Sequence, residues 1–520
     1  MPNIVIDKAE LLLGIKTDRI ALANSQEAPS GQYARSNGVD LHREGYIGHA
    51  FTAQTFNQAG PSNAAINSLP RAVAIDVASA TPNVYQILGG LAGTAPRIIK
   101  IVSDAYSSTV TTIPDAGHSG HNFTTLPVTG FWGEDIITYK VGATYYVFYS
   151  WNDNTDGDVG RAAIDGTSPN DDFMSTTPTG NAVLTAGIPH RMTEGADGKL
   201  YITNGRYVSQ FDGATGTNGT FSATKYDLGV GWVATDVRRY GDLLAISAIQ
   251  SGTTYRTYTF ASTSRVTLWN MTETGLGLVY DVDDYFLSAI FPVGQKLFAF
   301  TFGKNNTLKV HRFTGSKFEP FWESAIPTSA PDPRSIELYK DLVYFVPTAG
   351  SSSVWTLDPK LEAVHLEAIV NDGTNDATTS GFLRNIDQGK LHLGGLFGGT
   401  YKGVYLTASS TGFATGGKFL RTRVYPLSFK ATIKKFTFFL SNLGSSAQVQ
   451  FSLFKNYTNE SVGTAGTDLL NLTLDNTTYG NITEYEIERT IPQASSFYMT
   501  ITLTGNVGVR AIVIDWEPSN

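Results

Sequence analysis

A strand-and-turn unit recurs through the middle of this chain, and its spacing constrains the fold more than any other feature. A turn carrying Gly, Asp or Lys leads into an apolar strand. Copies stand at Asp197-Gly198-Lys199-Leu200-Tyr201-Ile202, Tyr240-Gly241-Asp242-Leu243-Leu244-Ala245, Gly294-Gln295-Lys296-Leu297-Phe298-Ala299, Lys340-Asp341-Leu342-Val343-Tyr344-Phe345 and Gly389-Lys390-Leu391-His392-Leu393. The leucines at 200, 243, 297, 342 and 391 are separated by 43, 54, 45 and 49 residues. An earlier copy, Gly142-Ala143-Thr144-Tyr145-Tyr146-Val147, lies 55 residues before Leu200, and a weaker one surrounds Val84-Tyr85-Gln86-Ile87. Several copies are followed by a second alternating strand that ends in a turn, such as Tyr207–Gly213, Leu308–Gly315 and Val354–Asp358, as hairpin-linked strands do.

A period of roughly 40–50 residues with about four strands per unit predicts propeller blades. One such unit cannot bury both of its faces alone, so neighbours must stack against it and ring closure hides the edges. The span 61–410 accommodates about seven blades, with six or eight also compatible. A solenoid is the alternative, disfavoured by the irregular unit lengths. Residues 1–60 read as an extended N-terminal arm with one ordered anchor near Ala9–Ile15, with a mobile N-terminal tail as the alternative. After Gly416-Gly417 the rhythm shortens, and about seven strands over 411–520 predict a β-sandwich or jelly-roll-like domain. They include Thr432–Leu440, Gln448–Phe454, Leu469–Leu474, Glu484–Ile491, Phe497–Leu503 and Val509–Trp516.

Composition agrees with an all-β chain. There are 25 Tyr and 29 Phe but only 16% charged residues, which suits pleated, half-buried surfaces, and 52 Gly serve the turns. The chain has no cysteine, which removes disulfides, thiolate metal sites and a cysteine nucleophile. The net charge of −8 argues against a nucleic-acid clamp, which needs a basic stripe. Residues 411–520 carry nine Lys and Arg against eight Asp and Glu, so the acidity belongs to the arm and the repeats. The start of the chain lacks the basic and long apolar runs of a secretory signal, and no stretch has the ~18 apolar residues of a membrane span. These absences lead to the expectation that the chain, by its own means, stays in the cytosol.

Candidate chemistry is sparse. Asp115, His118 and His121 are of the types that hold zinc or iron, although their glycine-rich surroundings favour an exposed loop. Asn152, Asn154 and Asp156 place oxygen ligands at alternate positions before Gly157, as calcium loops do. Ala163 stands where the bidentate glutamate is expected, which favours a plain acidic turn. Gly412–Lys418 approaches a phosphate loop, but Phe419 replaces the hydroxyl residue that ligates magnesium, so the passage reads as a linker. The run Tyr145–Trp151 could stack on sugar rings, yet strand alternation sends half of it into packing, and core is the better reading. Sequons such as those at Asn122, Asn270 and Asn471 follow from composition. No Ser-x-Asp-x-Gly-x-x-Trp turn, placed carboxylate pair or Gly-x-Ser-x-Gly elbow occurs, so neither a catalytic site nor a cofactor is expected.

Three stretches carry a resemblance. They are the arm passage Gly31–Asp40 continuing to Arg43-Glu44-Gly45-Tyr46, the repeat block, and the glycine-rich approach to the last domain at Thr411–Lys418. In combination they resemble virion structural proteins of tailed bacteriophages that bear a β-propeller, of the tail nozzle, hub or collar type. The resemblance implies a multi-copy, homo-oligomeric, non-enzymatic virion subunit, assembled in the bacterial cytoplasm and released by lysis. Its expected partners are other virion subunits, with an arm reaching onto a neighbour and DNA passing without specific binding. A receptor-binding virion protein recognising host-surface glycan, and a propeller glycan-active enzyme, are the competing readings.

Overall fold

The computed structural model describes residues 132–152, 157–164, 168–214, 218–250, 263–272, 277–284, 286–303, 307–324, 328, 330–339, 341–347, 353–369, 418–422, 425–455, 470–505 and 507–518. It also describes Leu11 and the strands between residues 3 and 113 and between 378 and 407 given below. The chain is all-β, with two helices of four residues each among these residues. No helix among them is long and apolar enough to cross a membrane.

The N-terminal passage supplies β1 (Asn3–Asp7), β2 (Tyr33–Asn37), β3 (Val39–Asp40), β4 (Ile47–His49) and β5 (Thr52–Thr55). Seven small antiparallel sheets follow. The first holds β6 (Pro70–Ile75), β7 (Val84–Leu88), β8 (Ile98–Ile101) and β9 (Val110–Ile113). The second holds β10 (Trp132–Val141), β11 (Thr144–Asn152) and β12 (Gly157–Ala163), and is followed by the short helix α1 (Phe173–Thr176). In the third are β13 (Met192–Glu194), β14 (Leu200–Asn204), β15 (Tyr207–Asp212) and β16 (Thr220–Asp227). The fourth comprises β17 (Trp232–Tyr240), β18 (Leu243–Gln250), β19 (Ser264–Trp269) and β20 (Leu278–Val282). The fifth is β21 (Phe286–Val293), β22 (Lys296–Phe302), β23 (Leu308–Phe313) and β24 (Phe318–Glu323). The sixth is β25 (Pro331–Tyr339), β26 (Leu342–Pro347), β27 (Ser353–Asp358) and β28 (Ala363–Ile369). In the seventh, β29 (Thr378–Ile386), β30 (Lys390–Phe397) and β31 (Thr400–Thr407) are completed by β5 from the far end of the chain.

Each copy of the sequence unit lies on or at the start of the second strand of one small sheet, from β7 to β30. Four strands per unit hold everywhere except in the second sheet. There the described residues give three strands, and the outer side of β12 is met by two isolated bridges, Gly157 with Leu184 and Arg161 with Asn170, the latter pair exchanging backbone hydrogen bonds of 2.9 and 2.8 Å. Where their side chains are described, these sheets carry apolar residues that pack against the neighbouring sheets. In β11, Val147, Tyr149 and Trp151 pack with Ala72, Tyr85 and Ile87 of the first sheet. Between them, Phe148 points the other way, into Leu200, Ile202 and Phe211 of the third. The same sharing continues between the third and fourth sheets, the fourth and fifth, and the fifth and sixth. The first strands form a closed circuit of contacts: β6 touches β10, then β13, β17, β21, β25 and β29 follow in turn, and β29 packs back against β6.

The remaining strands make one ten-stranded sheet. Its C-terminal members are β32 (Lys418–Thr422), β33 (Tyr425–Leu443), β34 (Gln448–Lys455), β35 (Leu470–Asp475), β36 (Glu484–Thr504) and β37 (Val507–Pro518), with helix α2 (Asn476–Tyr479) after β35. These are six strands among the described residues, and Glu484–Ile491 and Phe497–Leu503, expected as two strands, are parts of the continuous β36. Pro492 between them reads as a break. It stands at a shift in the pairing with β33, where a missing backbone N–H does not interrupt the ladder.

The expected arm is built into its own chain wherever it is described. β1 pairs with β37, β2 with β32 and β4 with β37, while β5 pairs with β31. Ile6 and Leu11 are fully buried in the core of the ten-stranded sheet.

Candidate functional site: a buried ionic hub between the first strands

Charged side chains gather where the first strands meet, and the backbone irregularities of those strands put them there. β10 shifts register between Gly133 and Asp135, and β17 does so between Ala234 and Asp236. Such a bulge re-aims a side chain that regular alternation would place elsewhere. Each aspartate then accepts a hydrogen bond from the next backbone N–H, Ile136 to Asp135 Oδ1 and Val237 to Asp236 Oδ1, both at 2.9 Å. Each also accepts one from a neighbouring sheet: the Met192 N–H reaches Asp135 Oδ2 at 2.7 Å, and the Ile290 N–H reaches Asp236 Oδ2 at 3.5 Å.

The cations come mainly from β25 and the residue before β13. In β25 the pairing with β26 shifts between Pro331 and Ile336, and the intervening residues bulge from the ladder. Arg334 donates from Nε to Asp135 Oδ1 at 2.7 Å and from Nη2 to Asp135 Oδ2, and Nη2 also reaches the Met192 carbonyl at 2.6 Å. Arg191 donates to Asp332 Oδ2 at 2.7 Å and to the Glu134 carbonyl at 2.5 Å. From β17, Arg238 bonds Asp236 Oδ2 at 3.2 Å and also the carbonyl of Pro333. Ser288 of β21 donates to the Pro331 carbonyl at 2.9 Å.

Asp135 and Asp236 are buried, and the Arg334 side chain is only 13% exposed. Burial pulls both Arg334 and Arg238 down. For Arg334 the facing Asp135, with help from Asp236, outweighs burial and holds the guanidinium above its ordinary value, whereas Arg238 stays below it. Asp135 accepts a two-pronged guanidinium and two backbone N–H groups, so its oxygens are saturated. Such a network fixes geometry, but it offers no free nucleophile or general base.

A second buried cluster lies beside β12. Tyr149 Oη donates to Asp171 Oδ1 at 2.6 Å, and Trp151 Nε1 donates to the Asp171 carbonyl at 2.8 Å. Asp158 accepts from the Val159 N–H at 2.6 Å and the Ser175 N–H at 3.3 Å. Burial, reinforced by Asp172, pushes its carboxyl up to about 7. Burial pushes His190 down to about 4 while Thr203 holds its Nδ1 at 2.8 Å.

Of the sequence-derived metal candidates, Asn152 alone lies among the described residues. Asp115, His118, His121, Asn154 and Asp156 lie outside the described residues, as does the stretch Gly412–Gly417. Asn152 is described and buried: its Oδ1 accepts the Gly187 N–H at 2.8 Å and its Nδ2 donates to the Ile188 carbonyl, so it staples a loop. Among the described residues no group of three His, Asp or Glu is placed to hold a metal. From Val147 to Asn152 the aromatic run is buried, which agrees with its reading as core.

The hub itself was missed in the sequence, although a signal existed. Asp135-Ile136-Ile137-Thr138-Tyr139, Asp236-Val237-Arg238-Arg239-Tyr240 and Ser335-Ile336-Glu337-Leu338-Tyr339 share a short polar residue, a β-branched one and a tyrosine at the same spacing on the first strands of the second, fourth and sixth sheets. Comparison of the sequence with protein-family profiles and with curated proteins finds no match to either.

Proposed function

We propose that the seven small sheets are the blades of a seven-bladed β-propeller, with β5 completing the last blade, and that the ten-stranded sheet is a β-sandwich or jelly-roll-like domain. On this reading the protein is a non-enzymatic structural component of a tailed-bacteriophage virion, a multi-copy nozzle, hub or collar subunit acting through assembly with other virion proteins. One observation carries most weight. A single N-terminal passage is woven into both parts, with β1 to β4 in the ten-stranded sheet and β5 in the seventh small sheet. Parts joined this way resist hinging, which suits a load-bearing subunit better than an enzyme that opens and closes. The buried ionic hub, in which Asp135 takes four donors, supports the same reading, and so does the architecture's resemblance to propeller-bearing tail proteins.

The test is quantitative mass spectrometry and antibody labelling of phage particles purified from lysates of cells that express this gene. The expected result is several copies per particle at one fixed location in the tail. Finding the protein only in the soluble fraction would sink the proposal.

A further inference from the structure

We infer that the segment Pro331–Ser335 is a keystone: it bulges from the ladder with β26 toward the middle of the strand circuit, ties the first strands of four other sheets together there, and seals the axis. The ladder between β25 and β26 is interrupted at this segment and resumes at Ile336. Its backbone and side chains reach four other sheets. Arg334 pairs with Asp135 of the second and bonds the Met192 carbonyl of the third, and Asp332 takes Arg191, which immediately precedes β13. Arg238 of the fourth sheet donates to the Pro333 carbonyl, and Ser288 of the fifth to that of Pro331. A first strand that served only its own sheet would touch its two neighbours in the circuit. The second and sixth sheets are separated by the first and seventh, so the Arg334–Asp135 pair spans the interior. Arg191 and Asp332 have side chains only 4% and 15% exposed, so the charges fill the space they span.

Two consequences follow. The axis of one chain is a closed surface and admits neither a ligand nor nucleic acid. If the virion reading holds, any DNA path runs through a lumen formed between copies, and this corollary alone rests on that reading.

The chain has no cysteine, so a single introduced thiol reports access cleanly. Ser288→Cys places the thiol beneath the Pro331 carbonyl at a position 7% exposed, and Ser316→Cys on an exposed turn serves as the reference. Maleimide labelling of Ser288→Cys in the full-length protein is expected to be at least about tenfold slower than that of Ser316→Cys, as protection by a local opening equilibrium requires. Adding Arg334→Met, or Asp332→Asn where the first variant does not fold, is expected to raise the Ser288→Cys rate several-fold and leave the reference unchanged. Equal rates in the two parent variants would show an open axis and overturn the proposal. A slow rate unmoved by both substitutions would overturn the keystone role. Neither result depends on whether the protein is found in a particle.

Discussion

Asp158 and His190 are buried titratable groups with opposite effects on stability. Asp158 keeps its proton up to about pH 7 in the folded chain and loses it near 4 when unfolded, so between these values the folded state holds the extra proton. Stability from this group is therefore complete below pH 4 and falls as pH rises through 7. His190 is neutral in the folded chain down to about pH 4 but takes a proton below about 6.5 when unfolded, so its contribution falls as pH falls through the same window. The two slopes largely offset each other. Replacing one group should expose the other: relative to wild type, Asp158→Asn gains stability as pH rises from 4 to 7, and His190→Asn gains as pH falls from 6.5 to 4. Each difference is expected to be on the order of 2–3 kcal/mol across its window. Urea titrations at pH 4.5, 6 and 7.5 would measure it, and parallel pH profiles for the three proteins would refute the assignment.

At the scale of an element, β11 and β12 show how a central strand is built when both of its faces are buried. Gly160 lies opposite Tyr149 in the pairing, and the tyrosine ring covers the place where a side chain would stand. A Cβ at Gly160 would lie 2.4 Å from Tyr149 Cε2, and the ring is held by its bond to Asp171. Gly160→Ala should therefore destabilise the protein by about 1–3 kcal/mol. Combining it with Tyr149→Ala should give a total loss smaller than the sum of the two, because the second change removes the obstacle. Additive midpoint shifts in denaturant unfolding would contradict this packing.

Legibility also varied by element. The second strands could be read because turn, apolar run and turn repeat near one spacing, as at Leu200 and Leu243. The first strands could not, because their defining residues sit on bulges that break the period. Arg334 and Asp135 are 199 residues apart, and no local pattern pairs them. Strands β2 to β5 are short and polar, and nothing in Tyr33–Asn37 or Thr52–Thr55 alternates strongly enough to announce a strand. Their conformation is imposed by the edges they cover.

For the whole molecule, the N-terminal passage is the joint between the two parts. Removing residues 1–55 strips β5 from the edge of β31 and β1 from the edge of β37, and takes buried Ile6 out of the core. Burying a side chain such as Ile6 is worth about 1.5–3 kcal/mol by itself, and two sheet edges open with it. The truncated protein should unfold at clearly lower denaturant, in two transitions where the intact chain shows one. An unchanged midpoint and a single transition would mean that the passage is ornamental.

The pairing of β1 with β37 joins Asn3 to Asp515. During synthesis the first of these strands is made about 500 residues before the second. At ~5–20 residues per second the wait is tens of seconds, a long time for an apolar strand edge to go uncovered in a crowded cytoplasm. The order in which the gene is read is thus opposite to the order in which this sheet can be finished. Until its end arrives, the beginning of this nascent chain stands without the strand that pairs with it.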